Sequence, residues 1–278
     1  MGQLEMSDTL TILSLGCGNM GAALLSGMLA RFPQAQVIAV DPSVARAQSL
    51  LPDTPRARVV ASLAEAGDVA PDLTLIAVKP QQFQDLAATA GFAERLASGV
   101  TVSIMAGTPL ATLAKSLNSD RVVRVMPNLP AQVGAAMTVG FAPGSLSHTD
   151  RDLVQTAFEA AGAFAWLEEE AQIDACTAVA GSGPGYIFAI AEYFEQAAQA
   201  EGLSPALARQ LVRQTLLGAA MMLTSDTRDA AELKASVTSK GGTTAAGLAV
   251  LEGETALPQL MTKAIRAAHD RARALSAL

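Results

Sequence analysis

Apolar runs alternate with segments of helical period in the N-terminal part of the chain. Residues 22–31 repeat apolar side chains every three or four positions, which indicates an amphipathic crossover helix. The runs between such segments lack polar alternation, as is typical of strands buried inside a parallel sheet. This alternation of strands and helices predicts a doubly wound α/β sheet. The predicted strands occupy residues 10–15, 36–41, 58–60, 73–78, 100–104 and 121–126.

Residues that favour the start of a helix follow several of these strands. Two further apolar runs, at residues 137–141 and 164–167, are expected to complete the edge of the sheet. Proline fits the first helical position, and small hydroxyl side chains cap the first turn. The predicted starts are Pro80 (to about residue 96), Thr108 with Pro109, and Ser147 (to about residue 161), and Ser62 with Glu65 has the spacing of a capping box.

The pattern changes after Glu168, beyond which apolar residues recur with the helical period alone. Ser204 and Pro205 begin a helix whose residues 207–223 are apolar around much of the circumference. Helices of this kind need packing partners on two sides. We therefore expect two domains, a doubly wound domain over 1–168 and an all-α domain over 169–278. The helical domain is expected to form a subunit interface, with burial inside a larger monomeric bundle as the alternative.

Composition narrows the class of protein. Half of the 278 residues are hydrophobic and 16% are charged, which excludes a disordered chain. The formal net charge of -7 argues against a nucleic-acid binder, because such proteins need clustered basic residues. No apolar run reaches the roughly 20 residues that a membrane span requires.

The two cysteines and the N-terminal segment indicate the compartment. Cys17 and Cys176 cannot form a disulfide framework and have no metal-like partners nearby, so we expect reduced, structural thiols and no metal site. Residues 1–8 carry acids and no basic region before an apolar core, unlike a signal peptide. These features predict a cytoplasmic protein without a nucleic-acid or membrane partner.

A glycine-rich turn at residues 16–21 lies directly between the first predicted strand and the first helix. Three glycines at this spacing allow a tight turn, a close approach of the backbone to a pyrophosphate, and close packing of helix on strand. The helix N-terminus adds unpaired N–H groups and a positive dipole end. The turn predicts dinucleotide binding, although glycines here also serve packing alone.

Asp41 ends the second strand about twenty residues after Gly21. An acid at this spacing accepts hydrogen bonds from the adenosine ribose and repels a 2′-phosphate, which favours NAD over NADP. The alternative is that Asp41, followed by Pro42, only terminates the strand.

The carboxyl ends of the other strands meet at the same edge of a doubly wound sheet, where ligands bind. Residues 77–80, 105–107 and 126–128 lie there. These residues are candidates for ligand binding. The alternative is that Lys79 is only a solvated strand terminus and that Asn128 is only a turn residue.

Two glycine-rich stretches interrupt the helical half. Residues 180–186 break or deform a helix, and residues 239–244 form a Gly-Gly turn that enters a helix with hydroxyl side chains. Backbone N–H groups at such turns bind small carboxylates. The alternative is a pair of helix–helix turns.

The order and spacing of these motifs resemble those of the pyrroline-5-carboxylate reductase family over nearly the whole chain. The resemblance is carried by residues 16–21, 77–80, 126–128, 182–186 and 239–244, the last followed by Ala246, Leu251 and Glu252. It implies reduction of 1-pyrroline-5-carboxylate to L-proline with NADH or NADPH, on a Rossmann domain followed by a helical dimerisation domain. It also implies a homodimer and, in many members, a ring of dimers.

The resemblance also implies roles for individual residues. Thr244 would hydrogen-bond the ring nitrogen of the imine, and is the candidate catalytic residue. Ser239, Gly242 and Thr243 would bind the substrate carboxylate beside it. Taken with the strand-end pattern, the candidate cofactor-binding residues are Gly16, Cys17, Gly18, Asn19, Met20, Gly21, Asp41, Ala77, Val78, Lys79, Pro80, Met105, Ala106 and Asn128.

The chain departs from the family pattern at four positions. Lys240 stands in place of the usual Pro, Leu129 in place of Thr and Gly185 in place of Ala, which affects loop rigidity. Asp41 stands where many relatives have Ser or Asn-Arg and accept NADP, so we expect a preference for NADH.

Two other functions share parts of this pattern. A β-hydroxyacid-type dehydrogenase has a Gly-x-x-x-Asn-x-x-Lys helix, but the helix after Gly185 has no lysine. A noncatalytic NAD-binding sensor would have no use for Thr243 and Thr244 at the second turn.

Overall fold

The computed structural model describes residues 10–254 and 256–276, so the expectation for residues 1–8 lies outside the described residues. Eight strands form one sheet in the order β3-β2-β1-β4-β5-β6-β7-β8. The predicted doubly wound sheet is confirmed. The strands are β1 Thr11–Leu15, β2 Gln36–Val40, β3 Ala57–Val60, β4 Leu73–Ile76, β5 Val100–Ser103, β6 Val122–Met126, β7 Ala136–Phe141 and β8 Gly162–Trp166.

The strands are mostly apolar because helices cover both faces of the sheet. Alternate residues of β1 and β2 enter two separate buried clusters, with Ile12 and Val37 in one and Leu13 and Ile38 in the other. Strands β1 to β6 are parallel, β7 is antiparallel to β6, and β8 is parallel to β7. The order reverses at β1, which lies between β2 and β4, and this switch point is where such sheets bind ligands.

The helices around the sheet follow most of the predicted starts, but two of them differ from the prediction in their bounds. The predicted helix over residues 80 to about 96 is wrong, because Gly91 takes a left-handed conformation (φ 74°) and divides it into two. Helix α1 also begins three residues earlier than predicted. The helices are α1 Asn19–Arg31, α2 Val44–Leu50, α3 Pro80–Ala87, α4 Phe92–Leu96, α5 Leu110–Leu117, α6 His148–Glu159 and α7 Gln172–Cys176, with a 3-10 turn at Leu129–Val133 and a π turn at Thr177–Gly181.

Two predicted caps differ from expectation. The Glu65 N–H donates to the Ser62 hydroxyl, but Glu65 Oε1 accepts from that hydroxyl rather than from the Ser62 N–H of a capping box, and the segment is only a turn. Thr108 does not cap α5; instead the Leu110 N–H donates to Glu170 Oε1 at 2.7 Å. Ser147 caps α6 as predicted, since its hydroxyl accepts from the Asp150 N–H at 3.1 Å.

The remaining chain is helical, as predicted. Ser204 caps α9, and its hydroxyl accepts from the Leu207 N–H at 3.3 Å. Among the described residues, no helix has the length and apolar composition that a membrane crossing requires. The helices are α8 Gly183–Ala200, α9 Pro205–Ser225, α10 Ala230–Ser236, α11 Thr243–Leu251 and α12 Leu257–Ser276.

The chain forms two compact units, and one of them is discontinuous in sequence. The first contains the sheet, through Gly181, together with the end of α12 from residue 269 onward, and the second is Ser182–Ala268. Within the first unit, the Ser276 hydroxyl donates to Asp174 Oδ1 at 2.9 Å. A methyl group placed on Gly107 would lie 2.8 Å from the Leu275 carbonyl oxygen. The expected domain boundary after Glu168 stays a prediction.

Candidate active site

The first and third glycines of the turn at residues 16–21 pack closely against neighbouring backbone. Gly16 has φ 92°, and a Cβ there would lie 2.8 Å from the Ala77 carbonyl oxygen. A Cβ on Gly21 would lie 3.1 Å from the Gly16 carbonyl oxygen. The Gly16 N–H donates to the Val40 carbonyl at 2.8 Å. These contacts fix the turn against the ends of β2 and β4.

Gly18, the second glycine, faces open space. A Cβ on it would meet no atom within 4 Å among the described residues beyond its chain neighbours. The first intrahelical bond of α1 runs from the Ala22 N–H to the Gly18 carbonyl, so the N–H groups of residues 19–21 precede it. This arrangement, with open space at Gly18 before the N–H groups of the first helical turn, fits a pyrophosphate.

Asp41 is tied to the glycine turn. Its Oδ2 accepts from the Cys17 N–H and its Oδ1 from the Ser43 N–H, each at 2.9 Å. A carboxylate oxygen has two lone pairs, so each oxygen retains one for a ribose hydroxyl. Near it, Arg46 donates to Asn19 Oδ1 at 3.3 Å. The carboxylate that the sequence predicted for the ribose is therefore oriented by two backbone amides.

Cys17 is a structural residue of the turn. Its side chain is buried, and its Sγ lies 3.9 Å from the Ala47 carbonyl oxygen. Burial raises the pKa of the Cys17 thiol to about 11; the Asp41 carboxylate adds to the rise and the Arg46 guanidinium opposes it. The thiol is protonated at neutral pH and buried, so Cys17 serves the turn through its packing and through its N–H, which holds Asp41.

The ends of β4 and β5 place the other candidate cofactor residues beside the turn. The Ala77 N–H donates to the Leu15 carbonyl at 2.8 Å, and the Ile104 N–H to the Ile76 carbonyl at 3.1 Å. Residues 77–80 and 105–106 therefore follow directly from adjacent strands. Lys79 is exposed, and its N–H donates to Gln82 Oε1 at 3.1 Å.

Asn128 follows β6 and is buried. Its Nδ2 donates to the Ala180 carbonyl at 3.0 Å, and its Oδ1 accepts from the Met137 N–H at 2.9 Å. Both halves of the amide therefore have protein partners. Its role in cofactor binding stays a prediction.

The candidate substrate residues lie in the second unit, between α10 and α11. Gly241 has φ 72°, and a Cβ on Gly242 would lie 2.3 Å from Ser239 Oγ, so a side chain at Gly242 would require the Ser239 hydroxyl to move. Thr243 begins α11, and Thr244 is exposed in its first turn. The hydroxyls and the free N–H groups of this turn can hold a carboxylate.

An ion pair joins the two helices that flank this turn. Lys234 Nζ on α10 binds Glu252 Oε1 just after α11. The Thr238 hydroxyl also donates to the Lys234 carbonyl at 2.6 Å. Glu252, one of the residues that carried the resemblance, therefore supports the turn.

The sequence interpretation missed two residues that support the cofactor edge. The buried Ser14 hydroxyl donates to the Gly16 carbonyl at 2.7 Å, and a polar residue in an apolar strand was its available signal. Glu170 caps α5 and pairs with the buried Arg124 at 2.6 Å. No local signal marks Glu170, because its partners are distant in sequence.

Comparison with known proteins identifies the family. A family model described as pyrroline-5-carboxylate reductase dimerisation matches residues 170–275, and one described as NADP oxidoreductase, coenzyme F420-dependent, matches residues 10–107. A pyrroline-5-carboxylate reductase of Pseudomonas aeruginosa is 37% identical over 271 residues, which cover 97% of this chain and 98% of that protein. The chain belongs to the pyrroline-5-carboxylate reductase family. The Vibrio alginolyticus pyrroline-5-carboxylate reductase is 35% identical and covers 96% of this chain and 98% of its own.

Solved structures of pyrroline-5-carboxylate reductases match nearly the full length of this chain. That of Coxiella burnetii is 30% identical with a TM-score of 0.86, covering 95% of this chain and 98% of its own. That of Plasmodium falciparum, with NADP bound, is 27% identical with a TM-score of 0.80, covering 96% and 98%. The chain is therefore an NAD(P)H-dependent oxidoreductase that acts on an imine, as its motifs implied.

More distant structures share the fold alone. A reductive aminase of Aspergillus terreus is 18% identical with a TM-score of 0.53. The alternatives of a β-hydroxyacid-type dehydrogenase and a noncatalytic sensor are not favoured.

Proposed function

We propose that this chain reduces 1-pyrroline-5-carboxylate to L-proline with residues 239–244 as its substrate-binding turn. The observation that carries this proposal is the turn between α10 and α11. There the Ser239 hydroxyl lies 2.3 Å from where a Cβ of residue 242 would be, and Thr244 is exposed. Ser239, Gly242 and Thr243 bind the substrate carboxylate. The Thr244 hydroxyl binds the ring nitrogen of the imine.

Residues of the first unit hold the dinucleotide. The open position at Gly18 supports a pyrophosphate against the N-terminus of α1, and Asp41 supports the adenosine ribose. Residues 77–80, Met105 and Ala106 line the nicotinamide half. Bound NADH or NADPH supplies the hydride that reduces the C5 carbon of the imine.

The protein contributes orientation rather than covalent chemistry. A threonine hydroxyl both donates and accepts, so Thr244 orients the imine nitrogen and its proton. The proton itself arrives on the substrate or comes from water.

Thr244→Val tests this role. Loss of one hydrogen bond to a charged group corresponds to a fall in kcat/KM for pyrroline-5-carboxylate of about 10- to 100-fold. The dissociation constant for NADH, measured by fluorescence, should stay the same. Thr224→Val is the matched control, because the Thr224 hydroxyl bonds only carbonyls of its own helix α9 among the described residues. Wild-type turnover in Thr244→Val would refute the assignment.

We also propose that NADH is the preferred cofactor. Support comes from the Asp41 carboxylate, which accepts hydrogen bonds from two backbone amides and is thereby held beside the glycine turn. A 2′-phosphate on the adenosine ribose would be repelled by this negative charge. We expect kcat/KM to be higher with NADH than with NADPH, and Asp41→Ser to reverse this order. Asp53→Ser, which removes an exposed acid of the same unit, should leave the ratio unchanged. A wild-type enzyme that is more efficient with NADPH would contradict the preference.

Assembly and location complete the proposal. The match to a dimerisation model supports a homodimer through the helical region, and we propose a ring of such dimers. The helical domain over 169–278 and a cytoplasmic location stay predictions.

A further inference from the structure

The π turn Thr177–Gly181 leaves a backbone carbonyl without a donor from its own helix. In an α-helix the carbonyl of residue 180 accepts from the N–H of residue 184. Residue 184 is proline, which has no N–H to donate. The next N–H, that of Gly185, donates to the Ser182 carbonyl at 2.9 Å. Ala180 is half-buried, and a carbonyl shielded from water without a donor is costly, so a partner from elsewhere in the fold stabilises it.

Asn128 supplies that partner. Its Nδ2 lies 3.0 Å from the Ala180 carbonyl oxygen, and the residue is only 8% exposed. A methyl group on Gly181 would lie 3.3 Å from Met126 Cε, so the π turn also packs on the end of β6. Residues of the β6 end therefore contact the π turn at two adjacent positions.

The other half of the Asn128 amide fixes the side chain in this orientation. The antiparallel register pairs Arg124 with Phe141 and Met126 with Val139, which brings Asn128 opposite Met137. Its Oδ1 accepts from the Met137 N–H at 2.9 Å and extends the ladder beyond the strand. The oxygen faces β7, so the nitrogen is directed to Ala180.

We propose that Asn128 is a positioning residue that donates to the Ala180 carbonyl the hydrogen bond that Pro184 cannot, and thereby holds the π turn Thr177–Gly181 that immediately precedes the 182–186 motif. This role differs from direct contact with the cofactor. Its effect on the reaction, through residues 182–186, rests on the proposed function.

A double-mutant cycle between positions 128 and 184 tests the proposal. Asn128→Ala should lower the unfolding midpoint of the full-length protein by about 3–10 °C, because it leaves the Ala180 carbonyl unpaired. Pro184→Ala restores an N–H at residue 184. In that background, Asn128→Ala should therefore lower the unfolding midpoint by less than half as much as in the wild type. The lost bond to Met137 is common to both backgrounds and cancels.

Pro205→Ala is the matched control, because Pro205 is also a proline in the first turn of a helix. In the Pro205→Ala background, Asn128→Ala should lower the unfolding midpoint by as much as it does in the wild type. If Asn128→Ala does not fold, Asn128→Asp replaces it in the cycle, since aspartate keeps the acceptor for the Met137 N–H. Equal losses in the Pro184→Ala and Pro205→Ala backgrounds would overturn the proposal.

Two binding measurements separate positioning from other roles. Asn128→Ala should raise KM for pyrroline-5-carboxylate at least threefold, and Pro184→Ala should restore it. An NADPH dissociation constant that rises in Asn128→Ala and stays raised in the double variant would show direct cofactor contact and overturn the proposal. An unchanged KM would limit Asn128 to stability and also overturn it. A wild-type protein inactive on this imine would instead refute the proposed function.

Discussion

The three glycines of the first turn have different physical reasons to be glycine. Gly16 needs a positive φ and a close approach to Ala77, and Gly21 packs α1 on the turn, but Gly18 has open space around it. A side chain at Gly16 would therefore disturb the fold, whereas one at Gly18 would extend into the open space proposed for the pyrophosphate.

Gly18→Ala should weaken cofactor binding without changing stability. We expect the dissociation constant for NADH to rise at least about tenfold, equivalent to about 1.4 kcal/mol, because the methyl group blocks the approach of the pyrophosphate. Gly16→Ala should instead lower the free energy of unfolding by about 1–3 kcal/mol. Fluorescence titration and thermal unfolding of both variants check the contrast. Unimpaired binding by Gly18→Ala would contradict the position of the pyrophosphate.

Single residues differ in how far the sequence could predict their surroundings. The position of Asp41 beside the turn follows from a spacing along the chain, and the Cys17 amide bonds it. The partners of Asn128 depend on the register of β7 and on a carbonyl left free by Pro184, neither of which a local pattern reveals.

At the scale of elements, strand β6 and helix α6 are joined by an ion pair. Arg121, just before β6, donates from Nε and from a terminal nitrogen to the two oxygens of Asp150, at 3.0 and 2.8 Å. Burial alone would raise the pKa of Asp150, but hydrogen bonds from Arg121 and Ser147 and the charge of Arg121 outweigh it. They hold the pKa below its ordinary value of 3.8.

Asp150→Asn should destabilise the protein in a pH-dependent way. A lowered pKa means that the folded chain binds this proton less readily, so the stabilisation is complete above about pH 4 and lost as pH falls through the lowered value. At pH 7 we expect Asp150→Asn to lower the free energy of unfolding by about 1–3 kcal/mol, and this difference from the wild type should shrink below pH 4. Urea unfolding at several pH values measures it, and the exposed Asp152→Asn on the same helix serves as control. A deficit independent of pH would contradict the ionic origin.

The elements themselves were predictable where a periodic pattern or a cap is local. All eight strands were anticipated from apolar runs. The break at Gly91 could not be anticipated, because a glycine inside a helical pattern is often tolerated. The cap of α5 comes from Glu170, 60 residues after Leu110, and depends on the tertiary fold.

At the scale of the whole molecule, the helical unit exposes large apolar side chains. Ile187, Ile190 and Phe194 recur on one face of α8 and are 50%, 37% and 48% exposed. A surface of this kind in a chain that matches a dimerisation model supports a subunit interface.

Phe194→Glu should dissociate the oligomer, because a carboxylate would be buried without a partner at the interface. We expect light scattering after size exclusion to give a smaller mass than for the wild type, with a lower unfolding midpoint. Gln199→Glu adds the same charge at an exposed position on the far side of α8 and should leave the mass unchanged. If Phe194→Glu keeps the wild-type mass, this face of α8 is not the interface.

The contact of Gly107 and Asp174 with the last turns of α12 has a consequence for synthesis on the ribosome. The sheet is finished when β8 has emerged, but its unit also contains residues from His269 onward. The nascent dinucleotide-binding unit therefore waits for the entire helical unit to be translated before it is complete. A chain stalled at Gly181 would therefore leave uncovered the surface that Leu275 and Ser276 contact in the complete protein.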